Sequence, residues 1–488
     1  MTRHRDLLIL AVILFLAAAY FYQDPGWNGN SRLDLTKATV EQGSLRIDSF
    51  RSQADWSTED SAFINGHYYS DKAVGSSLFA VPFYFLLYEI ARAFNTALSS
   101  SLVKHVLTTI VLGTAFTVNG LAMYLIAKKL TQNYWKALIA TLAVSLGTML
   151  WPYSAVYYGH VLAAAFLSVA FYLLLSMQEK PETISAGRFA WAGLAVGLAF
   201  IAEYTTAVII VGLGVYALNF LRKQQLATII RVVVAASLGA LLPLAVMFAY
   251  NSAAFGTPFA FGYAYESSNS FQEGMSEGFM GINRPHLSVL YRITLSPQFG
   301  LFWQSPILLL APIGYFVALK NSTRRAEGLL SMYSIAGFLV MNAGYYLWWG
   351  GHAFGPRLLI PALPFFIIPL ALLPDVLTPI TIVLAIVSSA QMLIPLLGEI
   401  QMNIVFKPRL NMFRVGDVPF TGFSLLYNHG LPLILQRIKE GQQSWTLGTA
   451  IGIPYWLSTP TLFVLDAILL RIFHSQTKLE RQHHGESA

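Results

Sequence analysis

Long apolar segments, separated by shorter polar ones, recur along this chain of 488 residues. About 20 consecutive apolar residues suffice for an α-helix to cross the hydrocarbon core of a bilayer. Twelve runs approach that length: 7–22, 104–127, 136–151, 159–177, 189–202, 204–221, 229–250, 299–319, 328–347, 357–373, 376–396 and 453–472. The pattern therefore predicts an all-α integral membrane protein with about twelve transmembrane helices, arranged as one polytopic domain over residues 1–488.

The apolar segment 75–94 differs from these runs because it contains Pro82, Glu89 and Arg92. If this segment lies in the membrane interface, the short basic loops all fall on one side of the membrane, as the positive-inside rule predicts. If it crosses the membrane, the later loops change sides and the asymmetry is lost. The charge pattern therefore favours an interfacial helix. The basic loops contain Lys128, Lys129, Lys180, Arg188, Arg222, Lys223, Lys320, Arg324 and Arg325.

This arrangement places both termini in the cytoplasm and predicts three extracytoplasmic segments. They are 24–103, which includes the interfacial helices, 251–298 and 397–452, whereas 474–488 is predicted to be a polar cytoplasmic tail. The N-terminus, with two arginines ahead of an apolar run, also resembles a cleavable signal peptide. We favour a retained signal anchor because the apolar run continues to Tyr22.

The composition agrees with a membrane location and excludes several kinds of chemistry. Hydrophobic residues make up 55% of the chain and charged residues only 11%, which is too few charges for the surface of a water-soluble fold. The net charge of +7 comes from basic loops beside apolar runs and is not a nucleic-acid signature. The chain has no cysteine, so disulfides and thiolate chemistry are excluded. P-loop, dinucleotide-binding and HExxH motifs are also absent.

Carboxylates concentrate in the first predicted outer loop. Eight of the 24 acidic residues lie between positions 24 and 72: Asp24, Asp34, Glu41, Asp48, Asp55, Glu59, Asp60 and Asp71. Acids gathered at one membrane surface are typical of a functional site on that surface. They also leave assistance by a divalent cation open, although no spacing matches a defined metal loop, and no other cofactor is predicted.

Three of these acids are candidates for a catalytic base. Asp34 lies at the start of a helix-like run, 33–42, that Gly43 is expected to end. A carboxylate there could accept a proton from a substrate hydroxyl, or it could simply complement the helix dipole. Asp48 and Asp60 are the alternative bases.

Charged residues at predicted span ends indicate the same outer face. Glu203 interrupts an apolar stretch, where a carboxylate is costly unless it is paired or hydrated. The alternative is that Glu203 lies at a turn between two spans, in the headgroup region. His160 and His352 lie at outer span ends and are candidate partners for it. Arg357 follows the glycine-rich segment 348–356, and its guanidinium either binds a phosphate group or snorkels to lipid headgroups.

These features resemble the GT-C superfamily of glycosyltransferases that use polyprenyl-phosphate sugars. This superfamily includes protein O-mannosyltransferases and the lipid A aminoarabinose transferase. Residues 30–48 (NSRLDLTKATVEQGSLRID) are similar to the first outer loop of the family, and residues 64–75 (INGHYYSDKAVG) to the stretch before its interfacial helix. The chain has Gly29–Asn30 where the family has an acidic pair, and Ala73–Val74 where it has two prolines.

The resemblance implies a GT-C-like fold and an inverting transfer of a sugar from a polyprenyl-phosphate donor to a hydroxyl of a glycan, lipid or protein acceptor. It implies that Lys72 helps to hold the donor phosphate and that an acid of the first loop is the base. We expect Arg32 and Arg357 to bind the same phosphate. The remaining substrate contacts would come from His67, Tyr69, Asp71, His160, Glu203 and His352. The site would face the periplasm from the cytoplasmic (inner) membrane of a bacterium, among membrane lipids and without nucleic acid.

Two other functions fit part of the pattern. A lipid-linked glycan flippase or other transporter would place functional charges near the middle of the membrane, whereas the charges here gather at one surface. A non-catalytic receptor or assembly scaffold would not need a carboxylate such as Glu203 within an apolar stretch.

Overall fold

The computed structural model describes residues 2–401, 424, 426–440 and 446–485. These residues are mainly helical. The α-helices are α1 (Thr2–Ala19), α2 (Gly26–Gln42), α3 (Gly75–Ala93), α4 (Ser100–Thr108), α5 (Thr114–Thr131), α6 (Tyr134–Leu146), α7 (His160–Glu179), α8 (Ala186–Ala202), α9 (Ala207–Leu221), α10 (Leu226–Phe255), α11 (Asn269–Ser276), α12 (Leu287–Thr294), α13 (Leu301–Gln304), α14 (Ala311–Lys320), α15 (Arg325–Ala343), α16 (Ile367–Ala371), α17 (Thr378–Leu397), α18 (Leu431–Lys439), α19 (Leu447–Ala450) and α20 (Tyr455–Gly485). One antiparallel hairpin pairs β1 (Ala62–Ile64) with β2 (His67–Tyr69).

Each of the twelve predicted apolar runs contains helix. Within the described ranges, five helical segments are long and apolar enough to cross a membrane: Ser100–Thr131, His160–Glu179, Tyr204–Leu221, Leu226–Phe255 and Asp375–Leu397. Four more apolar segments are shorter: Tyr134–Leu146, Ala186–Ala202, Pro306–Lys320 and Arg357–Ala371. The helical membrane class is therefore confirmed, whereas the count of about twelve spans is not.

Prolines shorten the α-helices in two of the predicted spans. Pro306 starts a 3₁₀ turn that separates α13 from α14. The span predicted from residue 357 begins as a 3₁₀ helix, Arg357–Phe366, that contains Pro361 and Pro364. Proline lacks the N–H that the interior of an α-helix needs and its ring clashes with the preceding turn, which disfavours a regular α-helix through Pro361 and Pro364.

Small residues bring the helices of the bundle close together. Gly193 and Gly197 of α8 face Ala236 and Ala240 of α10, and a Cβ atom at either glycine would collide with the backbone of α10. Apolar surface gains little from burial against another helix when the alternative is lipid, so close packing of this kind holds membrane helices together. The outer side of α10 stays largely exposed, with Leu238 and Leu242 more than 60% accessible, as expected for a helix that faces lipid.

The first outer segment begins with a helix that is longer than predicted. α2 starts at Gly26, where the Asp24 carboxylate accepts a hydrogen bond of 2.8 Å from the Gly26 N–H. It ends at Gly43, which adopts the left-handed conformation (φ +59°), as predicted. Asp34 therefore lies in the middle of α2, and the prediction that it opens the helix is wrong. The helix start is marked by the Asp24 side chain, which accepts the hydrogen bond from the Gly26 N–H and precedes a stretch of poor helix formers.

The first outer segment and segment 251–298 meet at the β-hairpin. The hairpin turns at Asn65 and Gly66, both with positive φ, as an Asn-Gly pair favours. Ser61 and Ser267 are joined by a backbone hydrogen bond of 2.8 Å, and the backbone of Glu266 bridges to β1. These contacts fix the loop after α10 over the residues that precede α3.

α3 coincides with the predicted interfacial helix. Its buried face packs on α2, where the Tyr84 hydroxyl donates to Glu41. Its opposite face exposes large apolar side chains: Phe83, Phe85, Leu86 and Ile90. One polar, packed face and one exposed apolar face are the pattern expected at a lipid surface.

The helices join two chemically different ends of the molecule. α7 starts at His160 and ends at Glu179, about 30 Å away at 1.5 Å per residue. At the far end, Glu179 forms ion pairs of 3.0 Å with Lys129, in the last turn of α5, and with Arg324, just before α15. The basic loops of α5, α7 and α15 therefore gather at one end, and the start of α7 lies at the other.

Three predicted segment boundaries differ from the structure or lie beyond it. α10 extends to Phe255, into the segment predicted to begin at 251. Of the predicted loop 397–452, residues 402–423, 425 and 441–445 lie outside the described residues. Of the predicted tail, 474–485 continue α20 as a helix, and 486–488 lie outside the described residues.

Candidate active site

A cavity of about 310 Å³ opens where the first outer segment, the loop after α10 and the segment after α15 meet. Six residues predicted from the sequence line it: Arg32, Asp60, Lys72, His160, Glu203 and Arg357. They come from α2, the first outer loop, the start of α7, the turn after α8 and the segment after α15. The structure therefore brings together charged residues that are widely separated in the sequence.

Arg32 and Glu203 form a buried ion pair at the base of the cavity. Arg32 Nη2 lies 2.9 Å from Glu203 Oε1, and both side chains are less than 10% exposed. Arg32 Nη1 donates to Ser76 Oγ at 2.8 Å and to a backbone carbonyl at 3.2 Å. Gly159 packs against this pair, because a Cβ atom there would lie 2.5 Å from Glu203 Oε1. The guanidinium of Arg32 is thus neutralised and fixed, and Glu203 is paired as its position in an apolar stretch required.

Lys72 lies between two carboxylates. Its ammonium group is 3.1 Å from Asp60 Oδ2 and also donates to Asp71 Oδ2. Ser31 fixes the other oxygen of Asp71 with a hydrogen bond of 3.1 Å. Burial lowers the pKa of Lys72, but the charges of Asp60 and Asp71 outweigh burial and hold this pKa well above its usual value. Lys72 is therefore charged at any physiological pH.

Arg357 is the cation without a matched acid. Within the described chain no carboxylate lies within 4 Å of its guanidinium. Arg357 Nε donates to the carbonyl of Gly350 at 2.7 Å, and its guanidinium lies 4.7 Å from the centre of the Tyr158 ring. The side chain is only 9% exposed, so its charge is directed into the cavity rather than into bulk solvent.

His160 connects Arg357 to the buried ion pair. Its Nε2 lies 3.4 Å from Arg357 Nη1. Its Nδ1 lies 3.3 Å from Glu203 Oε1, but without the alignment of a hydrogen bond. His160 is thus the partner of Glu203 that the sequence suggested, whereas His352 is exposed and does not line the cavity.

Part of the cavity wall is apolar. It is formed by side chains from α11 and the turns that follow it and from the last turn of α15 and the segment after it: Phe271, Met275, Phe279, Met280, Ile282, Met341 and Leu347. The wall is fixed to the bundle by a hydrogen bond of 2.9 Å from the Tyr346 N–H to the Gly281 carbonyl. One cavity is therefore lined both by buried charges and by a flexible, methionine-rich apolar surface.

Several predicted residues lie outside the cavity. Asp34 is fully buried inside the first outer segment, and neither of its carboxyl oxygens has a hydrogen-bond partner among the described residues. Burial raises the pKa of Asp34 well above its usual range, although the charges of Lys37 and Lys104 oppose the shift. Asp34 does not line the cavity.

Three more of the predicted residues belong to the packing of the first outer segment. Asp48 and His67 lie 3.5 Å apart at a partly exposed position. Tyr69 is buried, with its ring 5.9 Å from that of Phe255. Asp71 does not line the cavity but reaches it through Lys72.

The structure adds polar residues that the sequence did not single out. Tyr263 and Glu266, on the loop after α10, and Asn342, in the last turn of α15, all line the cavity. Burial, and then the neighbouring charge of Asp71, raise the pKa of Glu266 far above its usual value. Glu266 is an isolated acid that directly follows the aromatic run 259–265, and that run was the available signal in the sequence.

The acids of the cavity are arranged around lysine. Asp60 and Asp71 converge on the ammonium group of Lys72. Among the described residues, no group of three or more histidine, aspartate or glutamate side chains is placed to hold a metal ion. Asp60 and Asp71 therefore bind the ammonium group of Lys72 in this structure.

Comparison with known proteins gives no match by sequence, since neither a protein-family model nor a curated protein matches the chain. Solved structures do match. ArnT from Cupriavidus metallidurans in the apo state aligns with a TM-score of 0.50 at 12% identity, over 96% of this chain and 76% of that chain. ArnT, the lipid A aminoarabinose transferase, is a GT-C glycosyltransferase. The chain has the GT-C fold.

A crystal structure of the same ArnT bound to undecaprenyl phosphate aligns with a TM-score of 0.47 at 13% identity, over 96% of this chain and 77% of that chain. The alignment with the apo structure confirms the fold that the resemblance implied. Within this GT-C fold, the cavity lies where the outer segments close over the ends of α7, α8 and α15. The long apolar helices of the described residues support an integral membrane protein.

Proposed function

We propose that this protein is a glycosyltransferase that transfers a sugar, with inversion, from a polyprenyl-phosphate donor to an acceptor hydroxyl. The observation that carries the proposal is a single cavity lined both by buried charges and by a wall of apolar side chains. A polyprenyl-phosphate sugar combines the same two characters, because it has an anionic phosphodiester with a polar sugar and an isoprenoid chain. The GT-C fold supports the class of enzyme.

Arg357 is the cation best placed to bind the donor phosphate. Arg32 is paired with Glu203, and Lys72 is paired with two carboxylates. Among the described residues, no carboxylate lies within 4 Å of the Arg357 guanidinium. This guanidinium can donate to two oxygens of a phosphodiester at once.

Asp60 is the proposed base, because it lines the cavity whereas Asp34 and Asp48 do not. Asp60 would accept the proton of the acceptor hydroxyl while the hydroxyl oxygen forms a bond to the anomeric carbon of the sugar. The bond from that carbon to the phosphate oxygen breaks on the opposite face. The lipid phosphate then leaves with the electron pair, and the anomeric configuration is inverted.

The cations of the cavity act on the leaving group. The phosphate gains negative charge as the glycosidic bond breaks, so fixed positive charges stabilise the transition state more than the bound donor. Arg357 is fixed by Gly350, and Lys72 by Asp60 and Asp71, so little reorganisation is needed when the charge develops. Asp60 and Lys72 lie 3.1 Å apart, which places the base beside a positive charge.

The distribution of basic loops supports a periplasmic site in the cytoplasmic (inner) membrane of a bacterium. Lys129 and Arg324 gather at the end of α7 that is remote from the cavity. Loops rich in lysine and arginine remain in the cytoplasm during insertion, so the cavity would face outward. The donor would then enter from the outer leaflet, and the acceptor would be a glycan, a lipid or a protein on that side.

Transfer by the purified protein tests the proposal. We would supply polyprenyl-phosphate hexoses labelled in the sugar, with bacterial membranes as the source of acceptor. The wild type is expected to transfer label and release polyprenyl phosphate, and Asp60→Asn to lose at least about a hundredfold in turnover, the scale of general-base loss. Glu59→Gln, which changes the neighbouring exposed acid, is the matched control and should transfer normally.

Two further results of this assay bear on the proposal. Because the acids at the site bind lysine, we expect EDTA to leave the transfer rate unchanged. If no donor is consumed, but intact donor crosses the bilayer of vesicles that contain the protein, the flippase alternative replaces the glycosyltransferase.

A further inference from the structure

Two polar side chains of the cavity have unmet hydrogen-bonding capacity. Glu266 is 92% buried, and its Oε2 has no hydrogen-bond partner among the described residues. Asn342 is 99% buried, and neither its Oδ1 nor its Nδ2 has a partner there. An unpaired polar group that is buried is destabilising, so folded proteins rarely retain one without a use. Both residues line the cavity, where a ligand could supply the missing hydrogen bonds.

The two groups come from different segments of the chain, and each segment also supplies an aromatic ring to the cavity. Glu266 follows Tyr263 on the loop after α10, and Asn342 precedes Tyr345. All four side chains line the cavity. Aromatic faces with hydrogen-bonding groups at their edges are suited to a ring that has apolar C–H faces and polar substituents around its rim. A sugar ring has this character.

The neighbouring charges indicate which sugars fit. Asp60 and Asp71 are already close to Glu266, so a sugar carboxylate placed there would be repelled. The nearby cation, Lys72, already forms ion pairs with these two acids, so it would not offset the charge of a sugar carboxylate. An asparagine amide donates and accepts but cannot balance a charge. Hydroxyl groups, which also donate and accept, satisfy both side chains.

We propose that Glu266 and Asn342 bind hydroxyl groups of the transferred sugar and so select a donor whose sugar is neutral. This inference rests on the proposed function, because it assigns the sugar subsite of the same cavity. Glu266 acts as a hydrogen-bonding carboxyl group in this role, and burial together with Asp71 favours its protonated form. The isosteric amide of glutamine should therefore replace it.

The test compares two phosphodiesters of equal charge, decaprenyl-phosphate hexoses and decaprenyl methyl phosphate, by equilibrium binding to the purified full-length protein. The ratio of their dissociation constants measures the contribution of the sugar. We expect the wild type to bind at least one of the mannosyl, glucosyl and galactosyl lipids about tenfold more tightly than the methyl diester. Glu266→Ala and Asn342→Ala should each reduce this preference to less than about threefold, as expected for a lost buried hydrogen bond.

Further controls separate binding at the sugar subsite from binding of the phosphate. Glu266→Gln should retain the wild-type preference, and Glu273→Ala, at an exposed acid of α11, should have no effect. All variants should bind the methyl diester as the wild type does, because the phosphate contacts are unchanged. A glucuronosyl lipid should bind the wild type no better than the methyl diester.

Several results would overturn the assignment. They are an unchanged preference in both alanine variants, a loss in Glu266→Gln as large as in Glu266→Ala, or a wild type that binds every hexosyl lipid no better than the methyl diester. Failure of the proposed function looks different, since the wild type would then bind neither phosphodiester.

Discussion

At the scale of single residues, the cavity depends on which charges are already paired. Arg32, Lys72 and Arg357 are all buried cations, but two of them have carboxylate partners within 3.1 Å. Arg357 has a backbone carbonyl and an aromatic face instead. The three cations therefore have different roles. The sequence gives their positions but not the carboxylates with which they pair.

Arg357→Lys should reduce transfer although it conserves charge. Lysine has one donor group and loses both the two-oxygen grip on phosphate and the bond of Nε to Gly350. We expect kcat/KM to fall roughly tenfold in Arg357→Lys and to fall further in Arg357→Ala, which should also lose donor affinity, in line with hydrogen bonds to charged groups. Initial rates and binding of decaprenyl methyl phosphate measure both effects.

The matched control for Arg357 is Arg92→Ala, which removes an exposed arginine of α3 that pairs with Glu89. If Arg357 only contacted lipid headgroups, its alanine variant would behave like Arg92→Ala. Normal affinity and turnover per folded molecule in both variants would contradict the phosphate site.

Asp34→Asn should change the pH dependence of stability rather than transfer. Burial raises the pKa of Asp34 in the folded protein, so its contribution to stability is complete below the unfolded pKa near 4 and is lost as pH rises towards the raised value. The variant has no such loss and should gain on the wild type between pH 5 and pH 8, by roughly 1 kcal/mol for each unit of pKa shift in that window. Thermal unfolding in detergent at the two pH values measures the difference.

The control for Asp34 is again Glu59→Gln, whose unfolding curves should follow the wild type at both pH values. Equal pH dependence in wild type and Asp34→Asn would mean that Asp34 is already ionised. A hundredfold loss of transfer in Asp34→Asn would restore it as the base.

At the scale of elements, backbone geometry in the segment after α15 holds the critical arginine. Gly350 and Gly351 both adopt positive φ, +76° and +79°. A Cβ atom on Gly350 would lie 2.9 Å from Arg357 Nε and 3.0 Å from its Cγ, whereas a Cβ atom on Gly351 would meet nothing within 4 Å. The two glycines thus share the same backbone requirement, but only one of them is in contact with Arg357.

Gly350→Ala should impair donor binding, and Gly351→Ala should not. Each alanine is strained at positive φ by on the order of 1 kcal/mol, so both variants should unfold at slightly lower temperature. Only Gly350→Ala pushes the arginine side chain out of place, and we expect its affinity for decaprenyl methyl phosphate to fall about tenfold, as for loss of a charged hydrogen bond. Equal affinities in the two variants would show that Arg357 is not positioned by Gly350.

The elements themselves were largely predictable, because each apolar run carries its own signal. Helix formation in 159–177 or 376–396 depends on composition over about five turns and needs no distant contact. The predicted helix boundaries were wrong where a local side chain or a proline sets them, as at Asp24 before α2 and at Pro361 in the span after Arg357. The β-hairpin was missed, although its Asn-Gly turn is a signal at short range.

The cavity was less predictable than the elements because it depends on contacts across the whole molecule. Arg32 and Glu203 are 171 positions apart and meet only when α2 packs against the ends of α7 and α8. The sequence could rank acids by their local surroundings, and that ranking placed Asp34 ahead of Asp60. Glu266 and Asn342 are single polar residues in loops or helix ends, and their unmet hydrogen bonds have no counterpart in sequence.

At the scale of the whole molecule, cysteine labelling tests the orientation. The chain has no cysteine, so single exposed serines can be replaced without background. Ser52→Cys and Ser276→Cys lie in the outer segments and should react with a membrane-impermeant maleimide in intact cells. Ser322→Cys lies beside the basic end and should react only after permeabilisation. Labelling of Ser322→Cys alone in intact cells would invert the proposed orientation.

The most direct test of the central claim is photo-crosslinking of a decaprenyl phosphate that has a diazirine in the isoprenoid units next to the phosphate. We predict that labelled peptides lie within 269–282 and 341–358. Excess decaprenyl-phosphate hexose should suppress the labelling, and Arg357→Ala should be labelled much more weakly. Labelling confined to the exposed face of α10, unaffected by competitor or by Arg357→Ala, would contradict it, because the probe would then be ordinary surrounding lipid.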